Sequence, residues 1–424
     1  MKKGALVRPD VAIIRPDVAI IGAGPAGLAA AAGARAAGAE RVLVLEREER
    51  PGGILNQCIH DGFGLVRFGE TLTGPEYAGR FLRAARESGA EILTRTMVLG
   101  LTPERRLQAL GPRGYMTIEA GAVILATGCR ERTRGAVRIP GSRPAGIFTA
   151  GVAQYYLNRQ NIMVGRRALI LGSGDVGLIM ARRLTLEGGQ VPVVVEKLPY
   201  PGGLARNIAQ CLDDYNIPLR LSHTVTRIEG EQRVERAAVA RLDAEGREIP
   251  GTEQVYDCDT IILSVGLIPE NELALKAGVH LSSVTGGPLV DDAWQTNIPG
   301  IFACGNSLHV HDLVDYASAE AENAARAAVA FSRAGGAGEP GLPVRPGAGV
   351  RYVLPFSVRV GTRPLLSLRV SEPTGRRRLV ARAGGRTLAE RVFPRLAPAE
   401  MVRLELREAV PPGAKALEVL VTDA

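Results

Sequence analysis

An α/β fold built twice on one βαβ plan, followed by a small all-β domain, is what this sequence predicts; three observations carry that reading. First, Val18-Ala-Ile-Ile-Gly22-Ala-Gly24-Pro25-Ala26-Gly27, followed by Arg41-Val-Leu-Val-Leu-Glu46 and Pro51-Gly52-Gly53, has a second copy. The copy runs Ala168-Leu-Ile-Leu-Gly172-Ser-Gly174-Asp175-Val176-Gly177, then Pro192-Val-Val-Val-Glu196, then Pro201-Gly202-Gly203, each feature displaced by 150 positions. Second, each copy follows an apolar strand and opens an Ala/Leu-rich helical stretch. Third, beyond a stretch at 335–349 with six Gly and three Pro, the apolar pattern changes to period two.

Residues 8–14 and 15–21 repeat Arg-Pro-Asp-Val-Ala-Ile-Ile, and only the second copy runs into Gly22. It is therefore the first strand of the first unit. Residues 1–16 read as a redundant arm, which Pro9 and Pro16 bar from continuing a central strand. The stretch from Gly53 to Gly64 is a loop with little periodicity, a helix follows from about Pro75 to Ser88, and Ala122–Gly128 returns as a strand. The second unit is placed at 163–268 and closes on Thr260-Ile-Ile-Leu-Ser-Val-Gly266-Leu-Ile-Pro269. The segment Thr296–Asn306 follows, then a helix from about Leu313 to Arg333. Residues 335–349 read as a linker. The tail, 350–424, reads as a small β domain from Leu366, Leu368, Val370, Val402, Leu404 and Leu406, with Gly384-Gly385 as a hairpin turn.

A G-x-G-x-x-G between strand and helix, with a carboxylate 22 residues past its second glycine, is the Rossmann dinucleotide fingerprint. The first glycine permits the tight turn, the second lets backbone approach a pyrophosphate, and the third lets helix and strand pack closely. The diphosphate then meets unpaired N–H groups at the positive end of the helix dipole. The first copy (Gly22, Gly24, Pro25, Ala26, Gly27, Glu46, Arg47, Gly53) is read as an FAD site. The second (Gly172, Gly174, Asp175, Val176, Gly177, Glu196, Lys197) is read as a nicotinamide site. Glu196 would repel a 2′-phosphate, so NAD(H) is preferred over NADP(H), and the adjacent Lys197 weakens that preference without reversing it.

The net charge is +8, but the basic residues are scattered and only 4% of residues are aromatic, so no nucleic-acid partner is expected. No apolar run approaches bilayer length, and Lys2-Lys3 leads into Asp10 and Asp17 rather than a signal core. The expectation is a cytoplasmic protein without a membrane span. The five cysteines (Cys58, Cys129, Cys211, Cys258, Cys304) include no C-x-x-C, which argues against a thioredoxin-type pair or a zinc knuckle. Cys211 and Cys258 read as buried small hydrophobes.

The order of features resembles the two-dinucleotide-binding-domain flavoproteins that include thioredoxin and glutathione reductases, over about residues 17–333. The resemblance implies that the NAD domain (163–268) is inserted into the FAD domain (17–162 and 269–334). It also implies that Ala126-Thr127-Gly128 closes the first FAD segment, that Gly266 closes the NAD domain, and that Gly305 and Asn306 contact the flavin's ribityl and phosphate. Leu55 and His60 stand where the disulfide reductases carry the ends of C-x-x-x-x-C, so disulfide reduction is excluded. Asn306 replaces the family's acidic residue. Gly53–Gly64, Leu72–Tyr77, Leu308–Tyr316 and the β tail more narrowly resemble flavoproteins encoded beside anaerobic-type glycerol-3-phosphate dehydrogenases. They are also similar to the larger subunits of opine, proline and cyanide-forming glycine dehydrogenases.

The resemblance implies hydride exchange between NAD(H) and FAD in an oligomeric assembly. Its implied partners are a second flavoprotein dehydrogenase subunit and a small-molecule electron donor or acceptor. The helix starting near Leu313 is expected to aim its N-terminus at the flavin N1–O2 edge. His60, His309 and His311 are candidate proton shuttles, set against a plainer reading as hydrogen-bonding loop histidines. His309 and His311 have the alternating spacing of a strand, but no other ligand cluster accompanies them, so no metal is expected. Cys58 is a candidate reactive thiol, set against an inert one. Arg130, Arg132 and Arg134 read as solvent-facing charges. Three functions stand open: an electron-transfer subunit for glycerol 3-phosphate oxidation, a subunit of an opine, proline or amino-acid dehydrogenase, and a flavin-containing assembly subunit without turnover.

Overall fold

A computed structural model describes residues 13–335 and 341–424. Five parallel strands form the first sheet, in the spatial order Ile301–Ala303, Ala122–Leu125, Val18–Ile21, Val42–Leu45 and Glu91–Leu93. The second sheet repeats this plan with Ile147–Thr149, Thr260–Leu263, Ala168–Leu171, Val194–Glu196 and Leu219–Leu221. Val18–Ile21 and Ala168–Leu171 are buried along their whole length, which is why each reads as a continuous apolar run. Each sheet carries a three-stranded antiparallel excursion, over 97–119 and 223–257.

The chain leaves the first unit through Cys129–Glu131 and returns through Leu267–Pro269, and these two strands pair antiparallel. The second Rossmann-like domain is thus inserted in the first, and a small all-β domain follows. The insertion begins earlier than the sequence suggested. Ile147–Thr149 pairs with Thr260–Leu263, and the Ala150–Gln160 helix packs Ala150, Ala153 and Leu157 against Ala168, Ile170 and Leu178. A three-residue edge strand has no periodicity to read, so pairing alone assigns it.

Two other boundaries move. Ile13–Ile14, in the supposedly redundant arm, pairs parallel with Thr117–Ile118 at a sheet edge; residues 1–12 of that arm lie outside the described residues. Within the supposed linker, Leu342–Pro346 is a strand between Ser357–Val358 and Leu417–Thr422. Its two prolines fix a φ that an extended strand accepts, and the pairing with Ser357–Val358 is only two residues long.

The C-terminal domain packs a five-stranded sheet on a three-stranded one. Leu366, Leu368 and Val370 meet Leu379, Ala381, Leu417 and Val419 in its core. Gly384 (φ +56°) and Gly385 (φ +77°) form the hairpin turn that the sequence predicts. The domain is not a loose appendage. Tyr352 and Leu354 share a buried cluster with Ile21, Leu125 and Ile301, the Phe356 N–H donates to Val290 O at 2.9 Å, and Arg359 pairs with Asp292 at 2.8 Å. No helix among the described residues is long and apolar enough to cross a membrane.

Candidate active site

Both fingerprint turns have the geometry that their glycines imply. A Cβ on Gly22 (φ +102°) would lie 2.4 Å from Ala126 O, and one on Gly172 (φ +94°) 2.1 Å from Ser264 O. A Cβ on Gly27 would lie 1.9 Å from Gly22 O, and one on Gly177 2.6 Å from Ser264 Cβ. Gly24 differs: a Cβ there would meet nothing within 4 Å. It caps the Pro25–Ala36 helix, where a diphosphate would approach free N–H groups and Pro25 costs no hydrogen bond. Ala26 and Val176 are packed rather than exposed: Ala26 belongs to the first core, and Val176 lies against the second. At Gly174 the Cβ would stand 3.0 Å from Ser264 Oγ, and that hydroxyl accepts from Gly177 N at 3.1 Å. The cradles fit the two dinucleotides.

The carboxylates organise the turns. Glu46 accepts from Ala23 N at 2.7 Å and Glu48 N at 2.8 Å. Glu196 accepts from Ser173 N at 2.9 Å, Ser173 Oγ at 2.7 Å and Leu198 N at 3.0 Å. A carboxylate has about four lone-pair sites, so each retains capacity for ribose hydroxyls. The repeated Pro-Gly-Gly now has a reason. Gly52 N donates to Ala23 O (2.7 Å), Gly202 N to Ser173 Oγ (2.8 Å), and Gly53 packs so closely that a Cβ would lie 2.9 Å from Gly24 Cα. Arg47 is exposed, 3.7 Å from Glu48, and Lys197 is exposed beside Glu196. Asp175 ties the second fingerprint helix to the start of the Ala205–Cys211 helix, accepting from Leu204 N at 2.8 Å and Asn207 Nδ2 at 2.6 Å.

Ala126 ends the strand against Gly22, Thr127 Oγ1 donates to Glu270 O at 2.6 Å, and Gly128 O accepts from Glu270 N at 3.0 Å. Gly266 (φ +104°) accepts from Arg132 N at 3.0 Å. Gly305 (φ +69°) lies so close to the first fingerprint helix that a Cβ would be 2.7 Å from Ala26 Cβ. Asn306 Oδ1 accepts from His311 N at 3.0 Å, which commits that oxygen to the local turn. Both cradles, Gly128, Gly266, Gly305 and Asn306 open on one cleft of about 3350 Å³.

The four candidate catalytic residues divide. Cys58 is half-buried, its thiol donates to Ile54 O at 3.4 Å, and burial pushes its pKa up to about 12. That environment is the opposite of an activated thiol's. His60 Nδ1 lies 3.0 Å from Asp61 O, and burial holds its pKa below the ordinary histidine range. The His309 and His311 rings lie tilted at 59° to each other with centroids 4.2 Å apart. Burial, then the neighbouring His311, lowers the pKa of His309, which moves it away from a neutral-pH shuttle. The expectation that no further ligand group joins these histidines is overturned: Glu320 lies within reach of both. Burial alone would raise its carboxyl, yet His311 and His309 hold it well below the usual range.

Several residues escaped the sequence reading. Tyr352, from the β domain, lies 3.4 Å from His309 Nδ1. Arg369 donates to Pro398, Ala399 and Val310 carbonyls, locking that domain to the His309 segment. The Val314–Ala334 helix does start at Leu313, but Asp315 in its first turn is buried and accepts from Gly64 N (3.3 Å) and Arg67 N (2.8 Å). Its charge offsets part of the helix-end field. Asp315, Ser318 and Glu320 interrupt an Ala-rich buried stripe, the one signal that could have exposed them. Arg130 pairs with Glu270 and Glu272 at 2.9 and 2.7 Å, and Arg134 donates to Ile139 O at 3.2 Å.

A profile of the pyridine nucleotide-disulphide oxidoreductases matches residues 16–327. The chain belongs to that family. Leu55 and His60 stand where the sequence comparison placed the ends of a redox disulfide, and all five cysteines are free. The chain is 27% identical to an opine oxidase subunit of Agrobacterium tumefaciens (strain Ach5), over 67% of this chain and 60% of that protein. It is 30% identical to the alpha subunit of sarcosine oxidase from Corynebacterium sp. (strain P-1), over 74% of this chain but 32% of that one. Thioredoxin reductase of Listeria monocytogenes (serovar 1/2a, strain EGD-e) matches at 28% over 67% of the chain and 83% of the enzyme. The fold is similar to that of T. acidophilum thioredoxin reductase, with a TM-score of 0.62 and 23% identity over 75% of this chain and 99% of that one.

Proposed function

We propose that this chain passes electrons between NADH and FAD as the electron-transfer subunit of a dehydrogenase complex, whose partner is a second flavoprotein acting on glycerol 3-phosphate. The observation that carries it is the pair of intact glycine cradles opening on one cleft, with Leu55 and His60 in place of a redox disulfide. When bound, the two cofactors supply hydride exchange between nicotinamide C4 and flavin N5. The protein's part is alignment. The two cradles fix the diphosphates, Glu46 and Glu196 address the riboses, and Glu196 disfavours a 2′-phosphate.

A partner is supported by the relatives named as subunits of opine oxidase and sarcosine oxidase. The glycerol 3-phosphate assignment rests on the resemblance of Gly53–Gly64, Leu72–Tyr77, Leu308–Tyr316 and the β tail alone. The same relatives favour a second reading, a subunit of an opine, proline or other amino-acid dehydrogenase. An assembly subunit without turnover is disfavoured by the second cradle, which such a protein has no reason to keep.

Anaerobic titration of the isolated chain separates these readings. NADH should bleach the flavin faster than NADPH, while glycerol 3-phosphate and proline leave it oxidised. Co-purification of the native complex should then bring down a flavoprotein that restores substrate-dependent bleaching. Equal rates with NADPH would overturn the cofactor preference, and bleaching by either substrate without a partner would overturn the electron-transfer role.

A further inference from the structure

We propose that His309, His311 and Glu320 form a binding site for a first-row divalent cation, with its remaining coordination positions open to the cleft. His309 and His311 alternate along one short segment, and Glu320 reaches them from the second turn of the Val314–Ala334 helix. Glu320 Oε2 lies 3.0 Å from His309 Nε2 and 3.6 Å from His311 Nε2. One ligand atom from each residue lies within 4.8 Å of the other two. Ligand atoms around a tetrahedral cation with bonds of about 2.1 Å stand about 3.4 Å apart, close to the two Glu320 separations, and the imidazole nitrogens, within 4.8 Å of each other, would draw together by at most about 1.4 Å.

Internal hydrogen bonding accounts for His309 and Glu320, which bond each other at 3.0 Å, but not for His311. His311 is 3% exposed at its side chain, its Nδ1 has no hydrogen-bond partner, and its Nε2 stands too far from Glu320 for a hydrogen bond. A buried imidazole left in this way is costly. A cation bound through this ring would give it a partner that no protein group supplies.

The surroundings are those of a held metal site. His309 Nδ1 faces the Tyr352 hydroxyl at 3.4 Å, which leaves Nε2 to coordinate, and Glu320 Oε1 is fixed by Gly305 N at 2.8 Å. Ligating histidines and carboxylates characteristically carry such outer contacts. Arg369, the nearby cation, is turned to backbone carbonyls and faces Asp312 at 3.8 Å. Two imidazoles and a carboxylate, without thiolate, suit zinc or ferrous iron. The His309–Asp312 segment lines the cleft, so the open positions suit an oxygen of a small molecule bound there. The site does not depend on which nicotinamide is the donor.

The test is titration of the purified, chelator-treated flavoprotein with Co²⁺, read in visible bands to the red of the flavin, with metal content measured on untreated protein. One saturable Co²⁺ per chain, displaced by Zn²⁺, is expected. His311→Ala should weaken it by at least about 100-fold, the upper end seen when even an outer-shell contact is removed. Flavin content and thermal midpoint of His311→Ala report its folding. X-ray absorption of the cobalt-loaded wild type, which needs no variant, should show two imidazoles in the first shell. No saturable band in the wild type, unchanged affinity in a folded His311→Ala, or a first shell without imidazole would each overturn the site.

Discussion

Gly24→Ala separates cofactor binding from folding in a way that few substitutions here can. Gly24 has φ −70° and ψ −177°, an extended conformation that alanine adopts freely, and the new Cβ would have no neighbour within 4 Å. The apo-protein should therefore fold normally, and gain about 0.4–1 kcal/mol because the unfolded chain loses freedom. The same methyl stands where a diphosphate must approach the helix N-terminus. Overpacking of that kind costs about 1–3 kcal/mol, or about 5- to 150-fold in FAD dissociation constant. Gly22→Ala is the contrast: with φ +102° and a Cβ 2.4 Å from Ala126 O, it should destabilise the apo-protein itself by about 1–3 kcal/mol or more. Urea unfolding of deflavinated protein measures the first quantity, and FAD fluorescence titration the second. Wild-type FAD affinity in Gly24→Ala, or apo-stability as low as that of Gly22→Ala, would refute the assigned cradle.

Glu46→Arg should lose flavin, since it removes the acceptor of Ala23 N and Glu48 N and sets a cation where ribose hydroxyls bind; bound flavin per chain after gel filtration measures it. Cys58→Ser should keep NADH-to-dye activity within a few-fold, because hydride reaches flavin N5 without a thiol; a loss of two orders of magnitude would show a catalytic thiol. The Cys58 thiol sits at about 12 in the fold against about 8.5 when unfolded. Its contribution is thus fully present below pH about 8.5 and lost as pH rises toward about 12, because the unfolded chain ionises first. Cys58→Ser should flatten that alkaline loss in unfolding measurements. Leu368→Ala should cost about 2–5 kcal/mol in the β-domain core, read by denaturant unfolding.

What the sequence determined by itself is whatever rests on local backbone chemistry. The two turns needed Gly22 and Gly172 at positive φ, Gly27 and Gly177 at close packing, and a carboxylate at the end of the second strand; each demand leaves a residue type at a fixed offset. The buried parallel strands appeared as apolar runs, and the period-two tail as strands about Gly384-Gly385. The helix over 74–87 was legible in outline, and the reciprocal Thr73–Glu76 cap fixes where it starts.

Only the tertiary structure decided what long-range pairing and docking bring together. Ile147–Thr149 joins the second sheet through a strand more than 110 residues later, and Leu342–Pro346 becomes a strand only because Leu417–Thr422 lies beside it. Neither segment carries a pattern of its own. Glu320 meets His309 and His311 because a helix turn and a loop converge, and Tyr352 joins them because the β domain shares a core with the first unit. A sequence states the side chain at each position. Which buried polar groups must satisfy one another is settled only once folding removes water from between them.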